Sequence, residues 1–137
     1  MERKRSDMAT IRLWTDEEVE KDLAAKVVFD DIRRVRGSAG VLWPMMSATL
    51  KQTWESLKAI MGGEGPLDPL TRELIYIAVS VTNNCSYCIH SHTAAARAKG
   101  LTDQQHAELL AVIGVASETN ALATALQVPV DPEFTVK

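Results

Sequence analysis

Both cysteines of this 137-residue chain, and two of its three histidines, lie in one stretch, NNCSYCIHSHTAAARAKG, from Asn83 to Gly100. Thiols three residues apart with histidines close behind admit three chemistries: haem attachment, a metal clip, or a redox dithiol with a base beside it. A c-type haem motif needs histidine directly after the second cysteine, and that residue is Ile89, so haem attachment is excluded. On a helix turning 100° per residue, with Cys88 at zero, His92 lies about 40° away, Cys85 about 60° and His90 about 200°. Cys85, Cys88 and His92 share a face; His90 points elsewhere. A structural zinc site needs four ligands in a tetrahedron, so zinc would require this helix to break.

The redox reading requires no break. Asn84 or Cys85 suits the N-cap, which puts Cys88 in the first turn, where unpaired N–H groups and the helix dipole stabilise a thiolate. His92, one turn on, is placed to accept a thiol proton. A disulfide closing so small a loop forms and is reduced readily. A base working near neutral pH needs a partner to orient it. Glu73, twelve residues before Cys85, lies in an otherwise apolar segment between the directions of Leu70, Ile77 and Ser80. Two readings of it stand. It is a buried carboxyl that must be protonated, hydrogen-bonded or facing a wet site, or an exposed first-turn acid favoured by the helix dipole.

The elements that position these groups read as five or six helices with no sheet. Thr15 and Glu18 form a capping box opening a helix that is expected to run to Arg36. The acid-before-base pairs Glu17/Lys21, Asp22/Lys26 and Asp30/Arg34 support its outer face, and Leu23, Val27, Val28, Ile32 and Val35 form the inner stripe. A second helix begins near Pro44, with Met46, Leu50, Trp54, Leu57 and Met61 at helical spacing, and GGEGP (62–66) ends it. Asp68–Pro69 caps a third helix through LIYIAVSV, apolar nearly all round and therefore expected to be the most buried element. A fourth runs from Cys85 to Lys99 and stops at Gly100. Thr102 and Gln105 open a fifth through HAELLAVIGVA, SETNALATALQV forms one more short helix, and the tail is irregular.

The composition, 46% hydrophobic and 24% charged, fits a single globular domain over 1–137, with 1–10 and 129–137 as irregular tails. A net charge of −3 gives no field drawing the chain to nucleic acid or acidic membranes. No apolar run reaches membrane-spanning length. The basic start MERKRSDMAT leads into IRLWTDEEVE rather than a signal-peptide core, so a cytoplasmic location is expected, where paired cysteines read as catalytic or metal-binding. His90 and His106 read as surface residues. Trp14, Trp43 and Trp54, with Met45, Met46 and Met61, read as core or subunit contacts, and Arg33–Arg36 as a solvated helix end.

The spacing of Glu73, Cys85, Cys88 and His92 resembles the alkyl hydroperoxidase D-like group of the carboxymuconolactone decarboxylase family. PLDPLTRELIYIAVSVTNNCSYCIHSHTAAARAKGLT (66–102) resembles the core of that family nearly end to end, with weaker similarity over about 41–114. The resemblance implies an all-α, homo-oligomeric protein, a trimer or hexamer, that reduces organic or hydrogen peroxides. It implies Cys88 as the peroxidatic thiol, Cys85 as the resolving thiol, and His92 with Glu73 as the proton relay. No bound cofactor is implied; the partners are a peroxide and an external dithiol reductant. Tyr87 stands where the best-studied members have histidine, and a phenol is no base near neutral pH, a departure that weakens the relay. The alternatives are a dithiol–disulfide oxidoreductase, a zinc-binding or redox-sensing module without turnover, and, last, lactone decarboxylation, which does not require the dithiol.

Overall fold

The computed structural model describes residues 9–40 and 49–135. They form six α-helices and one short 3₁₀ turn, with no strand among the described residues. The chain divides into two compact units after Gly63.

The first unit holds α1 (Asp16–Lys21), α2 (Leu23–Arg36) and α3 (Leu50–Gly62). The Thr15–Glu18 capping box opens α1 as expected, with both reciprocal hydrogen bonds formed. The single helix expected from there to Arg36 is instead broken at Asp22. That residue is extended (φ −97°, ψ 100°), and its carboxylate accepts the Ala25 N–H at 2.9 Å. A short acidic side chain competes for the backbone in this way and starts a new helix. The break resets the helical phase. Ala25, Val28, Phe29 and Ile32 face inward, while Leu23 and Val27, expected in the core, are 78% and 71% exposed. Val35 is also exposed. Val19, Leu50 and Trp54 complete this core, and Trp14 and Leu57 pack against it. The Trp54 indole N–H donates to Asp31 at 2.8 Å, and Lys58 and Arg34 pair with the same carboxylate. These bonds hold Asp31 far below the usual carboxylate range. Trp43, Met45, Met46 and the expected helix start at Pro44 lie outside the described residues.

The second unit holds α4 (Pro69–Thr82), α5 (Ser86–Ala98), α6 (Asp103–Ala125) and the 3₁₀ turn Pro132–Phe134. Asp68 caps α4 by accepting the Thr71 N–H at 3.0 Å, and Pro69 is its first residue. The apolar body of α4 is not buried all round. One stripe, Glu73, Ile77 and Ser80, faces inward, and Ile75 and Val79 are about half exposed. Ile77, Ala96 and Leu101 form the core, backed by Leu70, Leu74, Val81 and Leu109. The two helices expected after Thr102 are one helix of 23 residues. Ser117 and Thr119 do not end it, because their hydroxyls donate to the carbonyls of Ile113 and Val115 within the same helix. No residue of α6 is buried. No helix among the described residues is long and apolar enough to cross a membrane.

Candidate active site

The turn between α4 and α5 sets the cysteines. Asn84 adopts the left-handed conformation (φ 55°), which asparagine tolerates better than most residues. Its N–H donates to the Val81 carbonyl at 3.1 Å, and the Cys85 N–H donates to that of Ser80 at 2.9 Å. This paired closure of a helix C-terminus satisfies carbonyls that α4 would otherwise leave open. Cys85 is at once the last residue of that closure and the N-cap of α5, its sulfur accepting the Cys88 N–H at 3.3 Å. Both sulfurs therefore sit at the positive end of α5. Cys85 and Cys88 are joined as a disulfide, with their Cα atoms 5.3 Å apart, and both residues are half-buried.

One turn beyond Cys88, His92 is buried and its Nδ1 lies 2.7 Å from Glu73 Oε2. Glu73 is 5% exposed, and its other oxygen accepts from the Lys99 ammonium at 2.8 Å. Burial alone would push this carboxyl up; the hydrogen bonds from His92 and Lys99, with the Lys99 charge, outweigh it and hold Glu73 below the ordinary carboxylate range. As a carboxylate Glu73 can only accept, so the His92 nitrogen facing it carries a proton; in a neutral imidazole the acceptor is then Nε2. The Tyr76 ring stacks on the imidazole, centroids 3.6 Å apart and planes 20° apart. Glu73 and Tyr76 come from α4, His92 from α5, and Lys99 caps the end of α5. Of the two readings of Glu73, the buried and hydrogen-bonded one holds.

His90 is exposed, its Nδ1 2.8 Å from the Ser86 carbonyl, and His106 on α6 is half-buried. Among the described residues no group of three or more His, Cys, Asp or Glu side chains is arranged to hold a metal ion. Two contributors escaped sequence reasoning, Lys99 and Tyr76. A signal for Lys99 existed: seven residues after His92, it returns to within about 20° of the same helical face. Tyr76, three residues after Glu73, is likewise on the adjoining face of α4.

The comparisons accord with this geometry. The sequence model of the carboxymuconolactone decarboxylase family matches residues 48–131. Over 65 residues, 47% of the chain and 35% of the relative, the protein is 40% identical to the alkyl hydroperoxide reductase AhpD of Solibacter usitatus. Over 74 residues, 54% of the chain and 64% of the relative, it is 32% identical to uncharacterized protein 4 in the cox locus of Paracoccus denitrificans. The chain thus spans between about a third and somewhat under two thirds of these relatives' own lengths. The crystal structure of the alkylhydroperoxidase AhpD core from Rhodospirillum rubrum is 58% identical and superposes with a TM-score of 0.88, covering 95% of this chain and 99% of that one. With a dithiol at a helix N-terminus and a Glu–His pair one turn behind it, this all-helical chain belongs to the carboxymuconolactone decarboxylase family, in its alkyl hydroperoxidase D-like group.

Proposed function

We propose that the protein is a thiol-dependent peroxidase reducing organic or hydrogen peroxides. The observation that carries this reading is the Cys85–Cys88 pair at the start of α5, one turn from a buried imidazole that Glu73 engages through Nδ1. His92 takes the Cys88 proton, and the helix dipole stabilises the thiolate. The thiolate sulfur attacks one peroxide oxygen, the O–O bond breaks, and the leaving alkoxide takes a proton from the His92–Glu73 relay to depart as an alcohol. Cys88 is then a sulfenic acid. The Cys85 thiol displaces its hydroxyl, which leaves as water, and the disulfide forms. An external dithiol returns two electrons and two protons, itself becoming a disulfide. No bound cofactor enters this cycle, and a cytoplasmic setting would keep such a reductant available.

The exposed apolar side chains of α6, among them Val112, Val115 and Leu122, each more than half exposed, support a homo-oligomer in which that face is covered. A second reading, dithiol–disulfide exchange with a protein partner, is favoured by Tyr87, a 37% exposed phenol between the cysteines that supplies no base and offers an aromatic contact.

One experiment separates the readings. A single equivalent of organic hydroperoxide is added to the reduced protein, and intact mass and thiol count are followed. Loss of two hydrogens and both thiols within seconds supports the peroxidase, with Cys88→Ser inert and Cys85→Ser stopping at a trappable sulfenic acid. Thiols that persist for many minutes, yet are oxidised rapidly by a disulfide-bearing protein, support exchange. Normal turnover in Cys88→Ser would remove Cys88 from its role.

A further inference from the structure

We propose that Lys99 is a positioning residue of this site: its ammonium holds Glu73 as a carboxylate, so that His92 donates through Nδ1 and keeps Nε2 free as the base. The inference rests on the base role given to His92 above. Lys99 occupies the C-cap of α5 and reaches back over the helix to Glu73 Oε1, while Oε2 faces His92. The carboxylate is thus shared between the Lys99 ammonium and the imidazole, and Glu73 and Lys99 cancel in charge.

Several other charged and titratable groups on the packed elements are engaged by other partners. On α4, Arg72 Nε donates to the Leu67 carbonyl. Arg97 on α5 and Asp103 on α6 pair at 3.6 Å. His106 is half-buried on α6, and Tyr76 stacks on His92 rather than bonding to Glu73. The positive charge the structure sets against the buried carboxylate is Lys99.

Without it, Glu73 would face burial with only an imidazole beside it. The carboxyl then takes a proton and donates it to Nδ1, which leaves His92 carrying its own hydrogen on Nε2 and disables the base. Lys99 keeps the pair in the one tautomer with an open Nε2. Its side chain is 35% exposed, so the ammonium remains partly hydrated and is not itself costly to keep charged.

The test compares the full chain with Lys99→Met, which keeps the stem, and Lys99→Arg, which keeps the charge. In the oxidised protein, the Glu73 carboxyl is titrated by ¹³C NMR and the His92 tautomer is read from its ¹⁵N shifts. In the reduced protein, the rate of Cys88 alkylation by iodoacetamide is followed against pH. Lys99→Met should raise the Glu73 midpoint by about one unit or more and move the His92 hydrogen to Nε2. The acid limb of alkylation should rise with it, slowing the reaction about tenfold at a pH below the limb. Lys99→Arg should restore all three. An unchanged midpoint and tautomer in Lys99→Met would overturn the proposal, as would a Glu73 shift with no change in the alkylation profile. The NMR titration needs no turnover. A wild-type protein inert to hydroperoxide would therefore sink the peroxidase reading and leave Lys99 to be judged on the titration alone.

Discussion

Replacing Glu73 with glutamine keeps its size and removes one charge, and the geometry says why so small a change should be severe. The two carboxylate oxygens each accept from a donor, His92 Nδ1 at 2.7 Å and Lys99 Nζ at 2.8 Å. Glutamine offers one oxygen and one NH₂. If the oxygen faces His92, the NH₂ meets the Lys99 ammonium, donor against donor. If the oxygen faces Lys99, the NH₂ meets Nδ1, which must become the acceptor, and the imidazole hydrogen moves to Nε2. Lys99 is partly exposed and can rehydrate, so the second arrangement or a shifted lysine limits the damage to stability. A buried polar group left without its partner costs about 1–3 kcal/mol, and that is the loss expected in urea unfolding of the oxidised protein. Catalysis should suffer more, since loss of a positioned base slows proton transfer about 10²–10⁴-fold. The assay is stopped-flow oxidation of the reduced thiols by an organic hydroperoxide at neutral pH, beside the urea curves. A variant within about 0.5 kcal/mol of wild type that is oxidised at the wild-type rate would refute the argument that the carboxylate fixes the ring.

Acid should destabilise the fold, and the sign follows from the carboxylates. Glu73 is held below its ordinary value by His92 and Lys99 despite its burial, Glu18 is lowered to about 2 by Arg12 and the Thr15 N–H, and Asp31 and Asp68 are also lowered. Each binds protons more weakly folded than unfolded, so its contribution is present above the unfolded value, near 4.5 for glutamate, and is lost as pH falls through the folded one. Urea midpoints should drop steadily from pH 5 to about pH 2; a flat profile would count against these pairings. At the turn before the dithiol, Asn84→Val places a β-branched side chain at φ 55° and should cost about 1–2 kcal/mol, whereas Asn84→Gly should be nearly neutral. Equal urea midpoints for the valine and glycine variants would show that the left-handed turn is not what positions Cys85.

Features decided within a few residues were readable in the sequence. Thr15 with Glu18, Asp68 with Pro69, and Thr102 with Gln105 start helices where expected, because a cap is made by a side chain bonding to N–H groups two or three residues away. That Cys85 and Cys88, three residues apart, can meet followed from helical period alone. Even the failures within one helix were local choices between competing options. Asp22 could continue a helix as an ion-pair partner or cap a new one, and it caps; Ser117 and Thr119 could end a helix or bond back into it, and they bond back.

The tertiary structure decided what depends on residues far apart in the chain. Glu73 could equally have been an exposed first-turn acid until α4 packed against α5 and set it opposite His92, 19 positions on, and Lys99, 26 positions on. The same packing selected one stripe of α4 for burial out of a surface apolar on every side, so Ile77 is inside while Ile75 and Val79 are not. A periodic pattern states which side chains share a face. Only the neighbouring helix decides which face loses its water, and with it whether a carboxylate there is a solvated surface charge or a fixed acceptor for an imidazole.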